Sequence, residues 1–257
     1  MKKTALLVFM SCVFAAGCHG VSMSEDLTVD GLGDIATAYR YFYVLDKSED
    51  GALRYMYGDV AGHIHVYVVK NGRSELEWET ATLGSAITSL WVTDVTADGK
   101  KEIWVSTARG RIIVYDAQSY DRLYENFIEP FQTISCMTTA NIDSDPQEEV
   151  IFIGDGQLNI YDGRGGALEW KSTATFLATE ILLGNLDDDP QLEIILNSGV
   201  IIDSRFYTVE PYALKSGAFG TRMRLLDMNG DGHPEILSET PGYALRVYDV
   251  YGEREVW

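Results

Sequence analysis

Short apolar runs recur along the chain in groups of four, separated by turns rich in Gly and Asp. In one group the first run is Ile87-Thr-Ser-Leu-Trp-Val, the second Glu102-Ile-Trp-Val-Ser and the third Ile112-Ile-Val-Tyr-Asp116. The third run ends Tyr-Asp again at Asp162 and Asp249, is shortened to Val200-Ile-Ile-Asp203 in another copy, and a fourth run ends at Trp170 or Trp257. Short runs of this kind bounded by turn residues predict strands, and no helical period competes. Five units of about 46 residues follow one another, at 34–80, 81–127, 128–173, 174–215 and 216–257. That period predicts an all-β fold, a five-bladed β-propeller of four-stranded repeats. A linear β-solenoid is the alternative; it is disfavoured because neither end shows a polar capping unit.

Between the first and second runs of four units lies an acidic loop. The copies start at Asp94, Asn141, Asn185 and Asp227, at separations of 47, 44 and 42 positions. Oxygen-bearing side chains stand at steps 1, 3, 5 and 9: Asp94, Thr96, Asp98 and Glu102; Asn141, Asp143, Asp145 and Glu149; Asn185, Asp187, Asp189 and Glu193; Asp227, Asn229, Asp231 and Glu235. Ca²⁺ takes six to eight oxygens in irregular geometry, and alternate residues of a tightly curled loop point inward. Glu at step 9 opens the next strand and offers two oxygens. An EF-hand closes at step 12 and leads into a helix, so it is the wrong label. Gly99 and Gly232 permit a backbone reversal at step 6, whereas Pro146 and Pro190 require a different turn. The first unit holds a degraded copy, Asp46-Lys-Ser48-Glu-Asp50-Gly51, in which Arg54 replaces the closing Glu. An ion pair from Arg54 to Asp46 or Asp50 is expected there in place of a metal.

With these residues in view the unit resembles the FG-GAP/VCBS repeats of integrin-α-type propellers and bacterial surface proteins. The resemblance spans most of the chain, strongly in four copies and weakly in the first. In that family the loop between the two innermost strands of a blade binds Ca²⁺. Carried over by position, it implies about four Ca²⁺ sites at the side chains above, completed by the backbone carbonyls of Lys100, Gln147, Gln191 and His233.

The formal net charge of −19 disfavours nucleic-acid or anionic-lipid binding through a basic face. Twelve of the carboxylates sit at the loop positions, three per loop, so bound cations would offset much of the excess. At the start, Lys2 and Lys3 precede an apolar run too short to span a membrane, ending Ala15-Ala16-Gly17-Cys18. This resembles a lipobox: residues 1–17 are expected to be a signal peptide, Cys18 the lipidated residue and 18–33 a polar tether to an envelope-anchored propeller over 34–257. By analogy His19 after the cysteine favours the outer membrane. Cys136, in an apolar stretch, is expected to be a buried thiol, and no disulfide framework can form.

No nucleophile elbow, zinc-protease motif, phosphate loop or paired-cysteine motif occurs. His63 and His65 lie two apart and share a strand face, a weak metal signal without a third ligand. Trp78, Trp170 and Trp257 hold equivalent positions and read as packing residues. Along the innermost strands, alternation places Leu90, Met137, Ile181 and Met223 between blades. It turns Tyr41, Tyr43, Ser89, Trp91, Glu180, Arg222 and Arg224 toward a central channel, with Glu180–Arg222 a candidate plug. The expected function is a non-enzymatic, calcium-stabilised binding, adhesion or scaffold module on a bacterial envelope, presenting loops to a protein or polysaccharide. The alternative is a carbohydrate-active or other enzyme at the channel mouth.

Overall fold

A computed structural model describes residues 42–45, 51–209, 217–240, 242 and 244–256. Lys2, Lys3, Cys18, the 18–33 segment, Tyr41, Asp46, Asp50 and Trp257 lie outside the described residues, as does the side chain of Tyr43. Every described regular element is a strand. The chain divides into two compact units, residues 1–83 and 84–257.

The first unit carries one antiparallel sheet in the order β1 (Phe42–Leu45), β2 (Leu53–Gly58), β3 (Ile64–Lys70) and β4 (Arg73–Glu79). Alternation gives it two chemically distinct faces. Met56, Ile64, Val66 and Val68 are buried on one. On the other, Tyr55 stacks on Tyr67 at 5.2 Å between centroids, and Tyr57 on His65 at 4.8 Å. The Arg54 guanidinium makes a two-point ion pair with Glu77 of β4, at 2.6 and 2.9 Å. The ion pair expected from Arg54 to Asp46 or Asp50 falls on residues outside those described.

The second unit holds four sheets in chain order. They are β5 (Ile87–Thr93), β6 (Glu102–Thr107), β7 (Ile112–Asp116) and β8 (Arg122–Tyr124); then β9 (Ile134–Ala140), β10 (Glu149–Gly154), β11 (Gln157–Asp162) and β12 (Leu168–Lys171). The third comprises β13 (Ile181–Gly184), β14 (Glu193–Leu196), β15 (Val200–Asp203) and β16 (Thr208–Val209). The last comprises β17 (Arg222–Leu226), β18 (Glu235–Glu239), β19 (Leu245–Asp249) and β20 (Arg254–Glu255). Each is antiparallel with neighbours in sequence order, as hairpin-linked strands must be. Second strands are the most apolar runs, and β6, β10 and β14 are buried along their whole length. The fourth strands β8 and β16 are exposed throughout.

Apolar clusters lie between consecutive sheets. Trp104 and Val114 meet Met137 and Phe152; Cys136 and Ile151 meet Ile181 and Ile194; Ile195 and Ile201 meet Met223 and Tyr248. Leu90, Met137, Ile181 and Met223 are all buried, as their alternation predicts. First strands adjoin in series, β5 to β9, β9 to β13 and β13 to β17. This is an all-β architecture of propeller type.

Three of the residues expected to line a channel, Ser89, Trp91 and Glu180, make hydrogen bonds to the next sheet. The Trp91 indole N–H donates to the Met137 carbonyl at 2.7 Å, and the fully buried Ser89 hydroxyl accepts the Met137 N–H at 2.7 Å. Ser135 donates to the Ala178 carbonyl at 2.6 Å. Glu180 accepts the Met223 N–H at 2.8 Å and pairs with Arg224 at 3.4 Å, so its ion-pair partner is Arg224 rather than Arg222. First-strand backbone edges facing another sheet have no ladder partner there. Side-chain donors and acceptors supply one.

Candidate metal centres

One arrangement recurs in all four acidic loops. The step-9 glutamates Glu102, Glu149, Glu193 and Glu235 are buried at the start of a second strand. Each turns one carboxylate oxygen back to the step-2 N–H: Val95 at 3.1 Å, Ile142 at 2.7 Å, Leu186 at 2.5 Å and Met228 at 2.7 Å. The step-5 aspartates Asp98, Asp145, Asp189 and Asp231 each accept the N–H of step 7 at 2.8–2.9 Å. Loop ends are thereby held by backbone donors, leaving the remaining carboxylate oxygens as the cation-binding capacity.

Steps 1 and 6 are chemically matched. Where step 6 is glycine, step 1 is aspartate: Asp94 accepts the Gly99 N–H at 2.8 Å, and Asp227 accepts the Gly232 N–H at 3.1 Å. Both glycines have positive φ, +87° and +96°. Where step 6 is Pro146 or Pro190 there is no N–H to accept. Step 1 is then asparagine, and its amide donates to the step-5 carbonyl, from Asn141 to Asp145 at 2.5 Å and from Asn185 to Asp189. The two turns differ, as the prolines require, and each has the side chain that closes it.

In three loops the carboxylates converge. Asp94, Asp98 and Glu102 bring ligand oxygens within 4.8 Å of one another, as do Asp143, Asp145 and Glu149, and Asp187, Asp189 and Glu193. Both proline loops are among them. Asp227, Asp231 and Glu235 form no such group. There Asp231 gives one oxygen to the His233 N–H and the other to the Asn229 amide at 2.9 Å, while Asp227 holds Gly230 and Gly232. Thr96, at step 3 of the first loop, donates to Glu102 at 3.3 Å.

Electrostatics sharpen the second loop. Burial, aided by the charges of Asp143, Glu169 and Asp145, pushes Glu149 up to about 7 despite the Ile142 N–H. Its Oε1 is fully enclosed and meets no hydrogen-bond partner, and so is Gln147 Oε1. Burial also raises Glu102, with Asp94 and Asp98 adding to it. A buried carboxylate oxygen facing two further carboxylates calls for a proton or a cation. The donor set is all oxygen, which suits a hard ion of the Ca²⁺ type.

The Tyr-Asp endings have a separate task. Asp116, Asp162, Asp203 and Asp249 each accept a backbone N–H from the turn that follows, from Ser119, Gly165, Phe206 and Gly252 respectively. They act as turn caps. Cys136 is a buried thiol outside any disulfide, near the Ala178 carbonyl. Trp170 stacks on Tyr207 at 4.9 Å, a packing role, and Trp78 is half-buried. His63 and His65 do have a third neighbour, Asp59, whose carboxylate comes within 4.8 Å of both rings. The sequence motif missed it because Asp59 lies outside the repeating acidic loop.

No family model matches the chain, and no curated protein matches it. Solved structures do. The chain is similar to BBS1N from the crystal structure of BBS1N in complex with ARL6DN soaked with mercury, at 17% identity and a TM-score of 0.61, over 86% of this chain and 68% of that one. The lead-soaked crystal of the same complex gives 16% and 0.59, over 84% and 66%. The computationally designed Ika8 protein gives 15% and 0.54, over 84% and 59%. The chain thus spans roughly two thirds or less of the length of these relatives. At such identities the likeness concerns the fold alone.

Proposed function

We propose that the chain is a non-enzymatic, calcium-stabilised binding module. In this reading it is a five-bladed propeller of FG-GAP/VCBS repeats, held at a bacterial envelope through lipidated Cys18, with loops that engage a protein or polysaccharide. The observation that carries the calcium role is the second loop, where three carboxylates converge and a buried Glu149 oxygen lacks a partner. Neutralising them with a divalent ion lets β9 and β10 lie close without protonating Glu149. The similar BBS1N fold was crystallised in complex with ARL6DN, which favours a protein partner over a polysaccharide.

Calorimetric titration of the chelator-treated chain with CaCl₂ tests this, paired with thermal melts in chelator and in millimolar calcium. Saturation at a hundred times Kd stabilises by about 2.7 kcal/mol per site, so calcium should raise the melting temperature clearly. Uptake is expected in the three convergent loops. Absence of heat and an unchanged melt would overturn the reading. Pull-down from envelope extract, with and without chelator, then tests whether partner capture follows calcium.

A further inference from the structure

The β2–β3 hairpin gathers a second, chemically different cluster. The ladder ends with the pairs Tyr57–His65 and Gly58–Ile64. Asp59 starts the reversal; its N–H donates to the His63 carbonyl at 2.9 Å, and Gly62 turns at φ +89°. Alternation then places Tyr57, Asp59, His63 and His65 on one face. The pairing of His65 with Glu79 brings a carboxylate from β4 to the same face.

Both imidazoles point at a single oxygen. His65 Nε2 lies 3.1 Å from Asp59 Oδ2, and His63 Nδ1 lies 3.4 Å from the same atom. The other Asp59 oxygen accepts the His63 backbone N–H at 2.8 Å, which fixes the carboxylate in a one-oxygen presentation. Glu79 Oε2 sits 3.0 Å from His65 Nδ1. A proton on Nδ1 that serves Glu79 leaves the Nε2 lone pair of the neutral ring facing a carboxylate. A single cation can satisfy all three atoms at once.

We propose that Asp59, His63 and His65 form a binding site for a divalent transition-metal ion of the zinc class, with a fourth coordination position open. Tetrahedral ligands at about 2.0 Å from zinc stand about 3.3 Å apart, which the two observed edges bracket. The third edge, between the imidazoles, is within 4.8 Å and closes by rotation of His63, the most exposed of the three side chains at 29%. Glu79 is the outer carboxylate that orients a ligating histidine. Imidazole donors set this site apart from the all-oxygen loops, which favour hard ions. The proposal stands independently of the calcium reading.

The full chain, without an affinity tag and in millimolar CaCl₂ to fill the oxygen sites, is titrated with CoCl₂ under visible spectroscopy, and Co²⁺ is then displaced with ZnCl₂. One equivalent should develop the intense d–d absorption of a tetrahedral site and lose it to zinc. His63→Gln and His65→Gln should each abolish the band, with calcium-bound melting curves showing that both variants fold. Asp59→Asn supplies a third test should either fail to do so. Glu79→Gln should keep the band and weaken affinity about 10–100-fold. No band at stoichiometric cobalt, or a band that survives either histidine substitution, would overturn the proposal.

Discussion

Glu149 Oε2 accepts the Ile142 N–H at 2.7 Å while its Oε1, enclosed in the same loop, has no hydrogen-bond partner. One oxygen anchors loop to strand and the other is held for a ligand. Under the calcium proposal, this division would let the loop exchange a proton for a cation.

A pH dependence follows. The folded-state value of about 7 lies above the ordinary 4.5, so between those values the folded chain retains a proton that the unfolded chain has released. In chelator, stability should be greatest below that window and fall as pH rises through it, by on the order of 3 kcal/mol in total. Calcium needs the ionised form, so its stabilising effect should grow over the same range with proton release. Urea melts at pH 5 and 7.5, in chelator and in calcium, measure both trends. An unchanged slope in Glu149→Gln would assign the effect elsewhere.

The pairing of step 1 with step 6 predicts a double-mutant coupling. Asn141→Asp alone replaces an amide donor by a carboxylate with no N–H at Pro146 to accept. It should cost about 1 kcal/mol in chelator. Pro146→Gly alone adds a backbone N–H at step 6 while the Asn141 amide stays on the Asp145 carbonyl. The double variant restores the Asp-Gly arrangement of the first loop and should be more stable than the sum of the singles. Additive losses in urea denaturation would mean that the two positions act separately.

Much of this organisation was legible in the chain. Hydrophobic runs located the strands, and the period located the loops, because both are local consequences of side-chain alternation. Met137, Ile181 and Met223 do pack between sheets for the same reason, and Leu90 is buried. The contacts of Ser89, Trp91 and Glu180 are not legible in the chain, because alternation gives a face but not a partner. Their neighbours are backbone atoms of another sheet, 43 to 48 residues away in sequence. Loop composition likewise did not reveal which copies converge. The fourth has the most favourable glycines, yet its Asp231 spends both oxygens inside the loop. Asp59 was invisible because its role depends on a hairpin register rather than a spacing.

The contacts between sheets can be weighed directly. Ser89→Ala leaves the buried Met137 N–H without an acceptor and should cost about 1–3 kcal/mol. Trp91→Phe removes the indole donor, about 1 kcal/mol, together with part of its packing against the apolar cluster. Denaturant midpoints that show the serine change to be the milder would contradict this order.

Glycine substitutions separate space from conformation. A Cβ at Gly110, where φ is +77°, would stand 1.9 Å from the Phe131 carbonyl oxygen; at Gly72, with φ +71°, it meets nothing within 4 Å. Gly72→Ala should therefore cost about 1–2 kcal/mol, the left-handed penalty alone. Gly110→Ala must also displace backbone and should cost several kcal/mol. Comparable melting temperatures for the two would argue against the close approach.

The polar clasps between sheets are all different: an indole and a hydroxyl around Met137, a serine on Ala178, a carboxylate on Met223. A tandem protein whose modules were interchangeable could assemble out of sequence or trade parts with a neighbouring molecule. Here the junctions differ in charge and in donor or acceptor, a contrast that works against modules joining out of serial order.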